Sequence, residues 1–289
     1  MSTSEHTAAI LFPGQGVGDP SSRDLVSEVR PDLLALATEL VGEDPFVRIS
    51  EGTRYAQPAV YCASIAGFEQ LGRPAGDFFA GHSLGEIGAL AAAGAIRDED
   101  GLRIVVARGR TMDEAARAAT SGGMLAVGSD PRQARALAES HGLAVANENS
   151  PEQFVLSGPL QAVAAAEATA KQNGIRAKRL AVAGAFHTEA MSPAVGPFRA
   201  ALDAIDFRRT PTRVVSSTTA GFFAADVRER LAASLTSPVR WISVMRKLRR
   251  LGATRYLDVG PGKVLAGLVR RTIDDAEVEA IASRESALA

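Results

Sequence analysis

The sequence predicts an α/β protein whose body is a mainly parallel sheet covered by helices, with a small subdomain at 121–185. Three observations predict it. Short apolar runs alternate with segments of helical spacing along the chain. One such run ends at Ala80 and enters Gly81-His82-Ser83-Leu84-Gly85, followed by an Ala-rich stretch, giving strand, sharp turn and helix. Residues 121–185 read β-α-β-β-α-β, the ferredoxin-like order.

Taken in order, residues 1–7 are small and polar and expected to fray. Ala8–Phe12 is a buried strand running into the tight loop Pro13-Gly14-Gln15-Gly16. Asp32–Val41 and Pro58–Leu71 have helical apolar spacing. Asp77–Ala80 is a short strand, and Glu86–Ala95 is a helix rich in the best helix former. Gly101–Thr120 is a further helix. In the subdomain, Gly123–Gly128 is a strand. Asp130 caps a helix with Pro131 at its first position, ending near His141-Gly142. Leu143–Ala146 and Gln153–Ser157 are strands around Asn149-Ser150-Pro151. Gln161–Asn173 is a helix closed by Gly174, and Ile175–Ala183 is the last strand. The body then resumes with helix Val195–Ile205, strand Arg213–Ser217, helices Ala225–Leu235 and Ile242–Leu251, strand Arg255–Val259 and the turn Gly260-Pro261-Gly262. Residues 1–120 and 186–289 therefore form the body, and the tail 283–289 is expected to fray.

Composition narrows the function classes. With 289 residues, about two domains or one with an insertion are expected at roughly 150 residues each. The net charge of −1 argues against bulk binding to nucleic acid or an anionic membrane, because both need a basic surplus. A single cysteine, Cys62, permits no internal disulfide and no cysteine-built zinc site, which suits a reducing cytoplasm. The start, MSTSEHTAAILF, lacks the form of a signal peptide, and no apolar run is long enough to span a membrane.

The chemistry centres on Ser83. Glycines two residues either side let the chain turn sharply and leave the hydroxyl exposed at a helix N-terminus, where free N–H groups and the helix dipole favour an oxyanion. A serine nucleophile needs a base. Of four histidines, His6 lies in the fraying tail, His82 neighbours Ser83 and points away from it, and His141 sits at a helix end. His187, where the chain returns to the body, remains. Two nucleotide-binding patterns fail: Asp19 replaces the third glycine after Gly14 and Gly16, and Leu257 and Val264 break the P-loop pattern around Gly262-Lys263.

The chain resembles the malonyl-CoA:acyl carrier protein transacylases, the acyltransferase family of fatty-acid and polyketide synthesis. The matching pieces, in order, begin with Phe12-Pro13-Gly14-Gln15-Gly16, Gln57-Pro58-Ala59, Gly81-His82-Ser83-Leu84-Gly85-Glu86 and Arg108-Gly109 followed by Met112. They continue with Asn149-Ser150-Pro151 and Gln153, Ala185-Phe186-His187, Ser237-Pro238-Val239-Arg240-Trp241 and Gly260-Pro261-Gly262-Lys263-Val264-Leu265. The resemblance implies an α/β-hydrolase-like body with a ferredoxin-like insert. It implies a Ser83 acyl-ester, His187 as base and then acid, and an oxyanion hole from the backbone N–H groups of Gln15 and Leu84. Arg108 would hold the free carboxylate of the acyl group, as a planar guanidinium suits. Phe186 beside the base resembles the malonyl-selecting members, its ring filling the space a branching methyl would need. His82 and Asn149 complete the implied substrate-binding set. Backbone carbonyls near Val259–Pro261 would orient His187, with Asp258 as the alternative. No cofactor or metal is implied: the CoA thioester is substrate, and phosphopantetheine arrives on the carrier. A monomer is expected.

Three departures stand out. Val17-Gly18-Asp19 follows Gly16 where the family often has a further Gln and Gly-Met. Gln15 to Gln57 spans 42 residues, short for the family, and Ile87 follows Glu86 where Tyr is common. Nine basic residues fall between Arg240 and Arg271 (Arg240, Arg246, Lys247, Arg249, Arg250, Arg255, Lys263, Arg270, Arg271), with Asp258 the one acid. Such a patch suits an acidic carrier protein or CoA phosphates. The rival functions are a proofreading acyl hydrolase using the same Ser/His pair, transfer of a non-malonyl acyl group between carriers, and a catalytically idle docking protein. A plain esterase fits poorly, because its histidine comes late in the chain, whereas 102 residues follow His187.

Overall fold

The computed structural model describes residues 7–16, 22–118, 121–182 and 184–281. His6, Val17-Gly18-Asp19 and the tail 283–289 lie outside the described residues. The elements of the first part are β1 (Thr7–Phe12), α1 (Ser22–Val29), α2 (Pro31–Val41), α3 (Thr53–Gln70), β2 (Phe78–Gly81), α4 (Gly85–Ala92) and α5 (Asp98–Ala118). Then come β3 (Gly122–Gly128), α6 (Pro131–Ser140), β4 (Ala144–Ser150), β5 (Gln153–Pro159), α7 (Leu160–Gln172) and β6 (Arg176–Arg179). The rest are α8 (Ser192–Asp203), β7 (Arg213–Val215), α9 (Val227–Ala233), α10 (Trp241–Arg250), β8 (Ala253–Asp258), α11 (Val264–Arg270) and β9 (Glu277–Ala280).

Five strands form one parallel sheet in the order β7-β2-β1-β8-β9. Its centre, β1, is buried on both faces, as a parallel strand covered by crossover helices must be. Ile10 and Phe12 face the core built with α3 and α5, and Ala9 and Leu11 face the core built with α10 and α11. The remaining four strands form an antiparallel sheet, β4-β5-β3-β6, backed by α6 and α7. Asp130 caps α6 as its sequence position predicts, accepting from the N–H groups of Arg132 and Gln133.

Several elements differ from the sequence reading. The first long helix begins at Thr53, five residues before Pro58, so the proline sits inside the helix. Proline there removes one backbone donor. The loss is tolerated because nearly every residue from Thr53 to Phe68 is buried, so tertiary packing carries this helix. Asn149 and Ser150 end β4 rather than forming the turn. The last strand of the small sheet pairs only over Arg176–Arg179; Leu180 still donates to the Met124 carbonyl, and the chain then leaves the ladder. The short helices α1 and α11 and the edge strand β9 had no expectation.

The sheet places the site. Phe12 and Gly81 are register partners at the carboxyl ends of β1 and β2, so the loops that follow them lie side by side. That edge is where ligands bind in open parallel sheets.

Candidate active site

The turn after β2 depends on both its glycines. A Cβ at Gly81 would collide with the backbone of Gly85, and one at Gly85 with the carbonyl of Phe12. Ser83 between them has φ +52°, a left-handed conformation unusual for a residue with a Cβ. This backbone lifts the Ser83 hydroxyl off the sheet at the start of α4. Gly14 lets the β1 loop close on the same turn: a Cβ there would lie 2.7 Å from the His82 carbonyl oxygen.

His187 meets the serine, with Nε2 2.9 Å from Ser83 Oγ. Its own backbone is left-handed, φ +60°. On the other side of the ring, Nδ1 lies 3.0 Å from the carbonyl oxygens of both Ser234 and Ser237. Carbonyls only accept, so Nδ1 carries the proton and Nε2 presents its lone pair to the Ser83 hydroxyl. The orienting carbonyls thus follow α9. Those of Val259–Pro261 do not serve, and neither does Asp258, whose carboxylate accepts from the N–H groups of Gly260 and Ala266 at the start of α11. Burial raises the Asp258 pKa to about 7. For His187, burial comes first and the nearby positive Arg108 second; with a smaller contribution from His82 they push its pKa down to about 3.

Arg108, on α5, is the third group. It is 3% exposed, and among the described residues no carboxylate forms an ion pair with it. Nη2 donates to Ser83 Oγ at 3.1 Å, and Nη1 donates to Gln57 Oε1 at 2.9 Å. Burial lowers its pKa to about 10, against the pull of Glu86. Glu86, one turn after Ser83, is also buried. Its Oε1 accepts from the Ser217 N–H at 2.6 Å, and burial raises its pKa to about 7.

The other sequence candidates fall at the rim or in the wall. His82 Nε2 donates to Asn149 Oδ1 at 2.8 Å, joining the elbow to the small sheet, and its ring packs 5.4 Å from that of Trp241. Phe186 is buried in the main core, where Gly184 makes room for its ring. His141 bonds Thr169 in the small subdomain, away from Ser83. Gln15 is held through its side chain, whose Oε1 accepts from Thr53 Oγ1 at 2.7 Å.

Sequence reasoning assigned no role to Gln57, Thr53 or Glu86, nor to the carbonyls of Ser234 and Ser237. Thr53 and Gln57 lie four apart at the start of one helix, a spacing that stacks side chains. The two carbonyls leave no trace in side-chain identity. Among the described residues no cluster of His, Cys, Asp or Glu could hold a metal ion, and no helix is long and apolar enough to cross a membrane.

A parallel sheet with an antiparallel insert, and a serine on a strand–helix elbow within hydrogen-bond reach of a histidine from another segment, describes an α/β protein with the arrangement that a serine nucleophile requires. The chain belongs to the acyl transferase family: the model of the acyl transferase domain matches residues 34–286. It is 36% identical to the malonyl CoA-acyl carrier protein transacylase of Bacillus subtilis, over 91% of this chain and 89% of that protein. The transacylase of the same name from a Synechocystis species is also 36% identical, with 94% and 96% covered. The solved structure of the malonyl-CoA:acyl carrier protein transacylase of Xanthomonas oryzae superposes with TM-score 0.88 at 32% identity, covering 99% of this chain and 98% of that one. A malonyl-transacylase solved with a type II polyketide acyl-carrier protein superposes with TM-score 0.82 at 30% identity, with 95% of each chain covered.

Proposed function

We propose that the protein moves a malonyl group from CoA to an acyl carrier protein through an ester on Ser83. The observation that carries this reading is the buried guanidinium of Arg108, which lies against Ser83 and, among the described residues, has no carboxylate in contact, Glu86 acting on it only at a distance. A buried charge without a contacting counter-ion is costly. A dicarboxylic acyl group supplies that counter-ion from its far end while presenting its thioester to the hydroxyl.

In the first half-reaction His187 Nε2 takes the Ser83 proton as Oγ bonds to the thioester carbon. The negative oxygen is met by the backbone N–H groups of Gln15 and Leu84, neither of which bonds another described group. The C–S bond then breaks, and the imidazolium returns its proton to the CoA sulfur. In the second half the carrier's phosphopantetheine thiol gives its proton to His187 and attacks the ester, and the C–O bond to Ser83 breaks as the imidazolium returns that proton to Oγ. No metal or cofactor enters this scheme. Phe186 beside the base disfavours a branched acyl group, and His82 with Asn149 forms the rim where the insert (121–185) meets the body (1–120 and 186–289). The setting is cytoplasmic, consistent with the lone buried Cys62.

The similar transacylase solved with a carrier protein supports a carrier as the acceptor. The basic patch is smaller than its sequence count. Arg249 pairs with Asp275, and Arg255 pairs with Glu277 and Glu279. An acidic partner would meet Arg240, Arg246, Arg250, Lys263 and Arg271, all exposed.

The test is intact-protein mass spectrometry after brief mixing with malonyl-CoA, with peptide mapping. A malonyl adduct on the Ser83 peptide, absent in Ser83→Ala, is the expected result. Release of free malonate with no transferable adduct would favour the hydrolase instead.

A further inference from the structure

A line of hydrogen bonds, two buried and the last partly buried, joins Arg108 to the loop after β1. Arg108 Nη1 donates to Gln57 Oε1 at 2.9 Å, Gln57 Nε2 donates to Thr53 Oγ1 at 2.7 Å, and the Thr53 hydroxyl donates to Gln15 Oε1 at 2.7 Å. The direction of each bond is forced. A guanidinium can only donate, so the Gln57 oxygen faces Arg108 and its amide nitrogen faces Thr53. The hydroxyl, already accepting, turns its proton to the one remaining acceptor, Gln15 Oε1. Thr53, Gln57 and Arg108 are each at most 4% exposed, so water does not compete for the two bonds among them, while the bond to Gln15 is partly buried.

The packing brings the line together on purpose-built backbone. Gly109, next to Arg108, lies where α5 crosses the first turn of α3, and a Cβ there would stand 2.9 Å from the Thr53 carbonyl oxygen. The start of α3 therefore approaches the middle of α5 closely enough for the Thr53 and Gln57 side chains to bridge α5 and the β1 loop.

We propose that Thr53 is a positioning residue that sets the Arg108 guanidinium and the Gln15 backbone N–H at a fixed separation, so that the pair reads the one-methylene spacing between the carboxylate and the thioester carbonyl of a malonyl group. This rests on the malonyl-transfer reading above. In that reading Arg108 meets one end of the acyl group and the Gln15 N–H meets the other. Thr53 touches neither end. It acts by holding the two that do, and its hydroxyl is the single link from α3 to the β1 loop in this line.

The experiment compares Ser83 acylation rates with malonyl-CoA and acetyl-CoA in the full-length protein, by quenched intact-mass measurement. Wild type comes first: if malonyl-CoA fails to acylate Ser83, the transfer reading itself falls, before any variant is compared. Given acylation, Thr53→Val keeps the shape and removes the hydroxyl. The expected result is a loss of malonyl rate of about 3- to 10-fold with a smaller change for acetyl, the size of one buried neutral hydrogen bond. Thr53→Ser should restore the ratio. Gln15→Met removes the acceptor at the other end and stays measurable even if Thr53→Val does not fold. It should lower the malonyl-to-acetyl ratio in the same direction, and where the double variant folds it should be no worse than the poorer single, because both changes cut one bond. An unchanged ratio in Thr53→Val or in Gln15→Met, equal losses for both acyl groups, or additive effects in the double variant would overturn the proposal.

Discussion

Arg108 lies against the Ser83 hydroxyl, its Nη2 3.1 Å from Oγ, while His187 Nε2 approaches the same oxygen at 2.9 Å. One hydroxyl is thus shared between an imidazole lone pair and a cation that, among the described residues, has no carboxylate in contact. In the proposed reaction, an acyl carboxylate pairing with the guanidinium would lower the cation's demand on Oγ and free the lone pair for attack. Substrate class and nucleophile would then be linked at a single atom.

Arg108→Ala should change selectivity more than chemistry. It removes a charge-assisted pair worth about 1.5–3 kcal/mol, which is roughly 10- to 150-fold in malonyl acylation. Acetyl acylation should change little or improve. The ratio of the two rates is the measurement; an equal fall in both would make Arg108 structural.

His187 should be neutral across about pH 5–8, because its pKa is held near 3 by burial first and by Arg108 second. The acylation rate should therefore show no acidic limb from this group in that range. Removing the positive charge raises the His187 pKa, so in Arg108→Ala the limb, read with acetyl-CoA, should move to higher pH. His187→Ala should lose about 10²–10⁴-fold in acylation and in transfer alike. The sign for stability is also set. A histidine whose folded pKa lies below its unfolded value contributes fully above about pH 6.5 and loses that contribution as pH falls toward 3.

Glu86 should behave in the opposite sense. Its folded pKa is raised to about 7, so the folded state keeps a proton the unfolded chain has lost. Stability from this group is full below about pH 4.5 and falls as pH rises through 7. Glu86→Gln keeps an oxygen for the Ser217 N–H and has no proton to lose. Urea unfolding should show the variant gaining on wild type between pH 5 and 8, by at most about 3 kcal/mol. A constant difference across that range would refute the assignment.

The elbow should tolerate no Cβ at Gly85. Gly85→Ala drives a methyl into the Phe12 carbonyl, and the expected result is failure to fold or a loss above about 4 kcal/mol. Gly42→Ala is the control. Gly42 caps α2 at φ +92° with open space around it, so only backbone strain of about 1 kcal/mol is at stake. Thermal and urea unfolding separate the two.

What could be read from the sequence was local. Gly81-x-Ser83-x-Gly85 between an apolar run and an Ala-rich segment determined the elbow, because glycine spacing and strand–helix order act within a few residues. The order of elements in 121–185 determined the antiparallel insert for the same reason. The start of α3 was not legible, since Pro58 argues locally for a boundary and burial of the whole helix overrides it. Strand β9 had no apolar run to mark it, since Glu277 and Glu279 alternate along it; in the sheet Glu277 is the register partner of Arg255, and both carboxylates pair with that arginine. Only the tertiary structure decided which carbonyls orient His187, that among the described residues no acid contacts Arg108, and that Thr53 and Gln57 connect it to Gln15. Every residue carries a carbonyl, so nothing in the side chains of Ser234 and Ser237 marks theirs. Whether a buried charge is paired depends on which helices cross, here α3 and α5 at Gly109, and no spacing within one segment encodes that crossing.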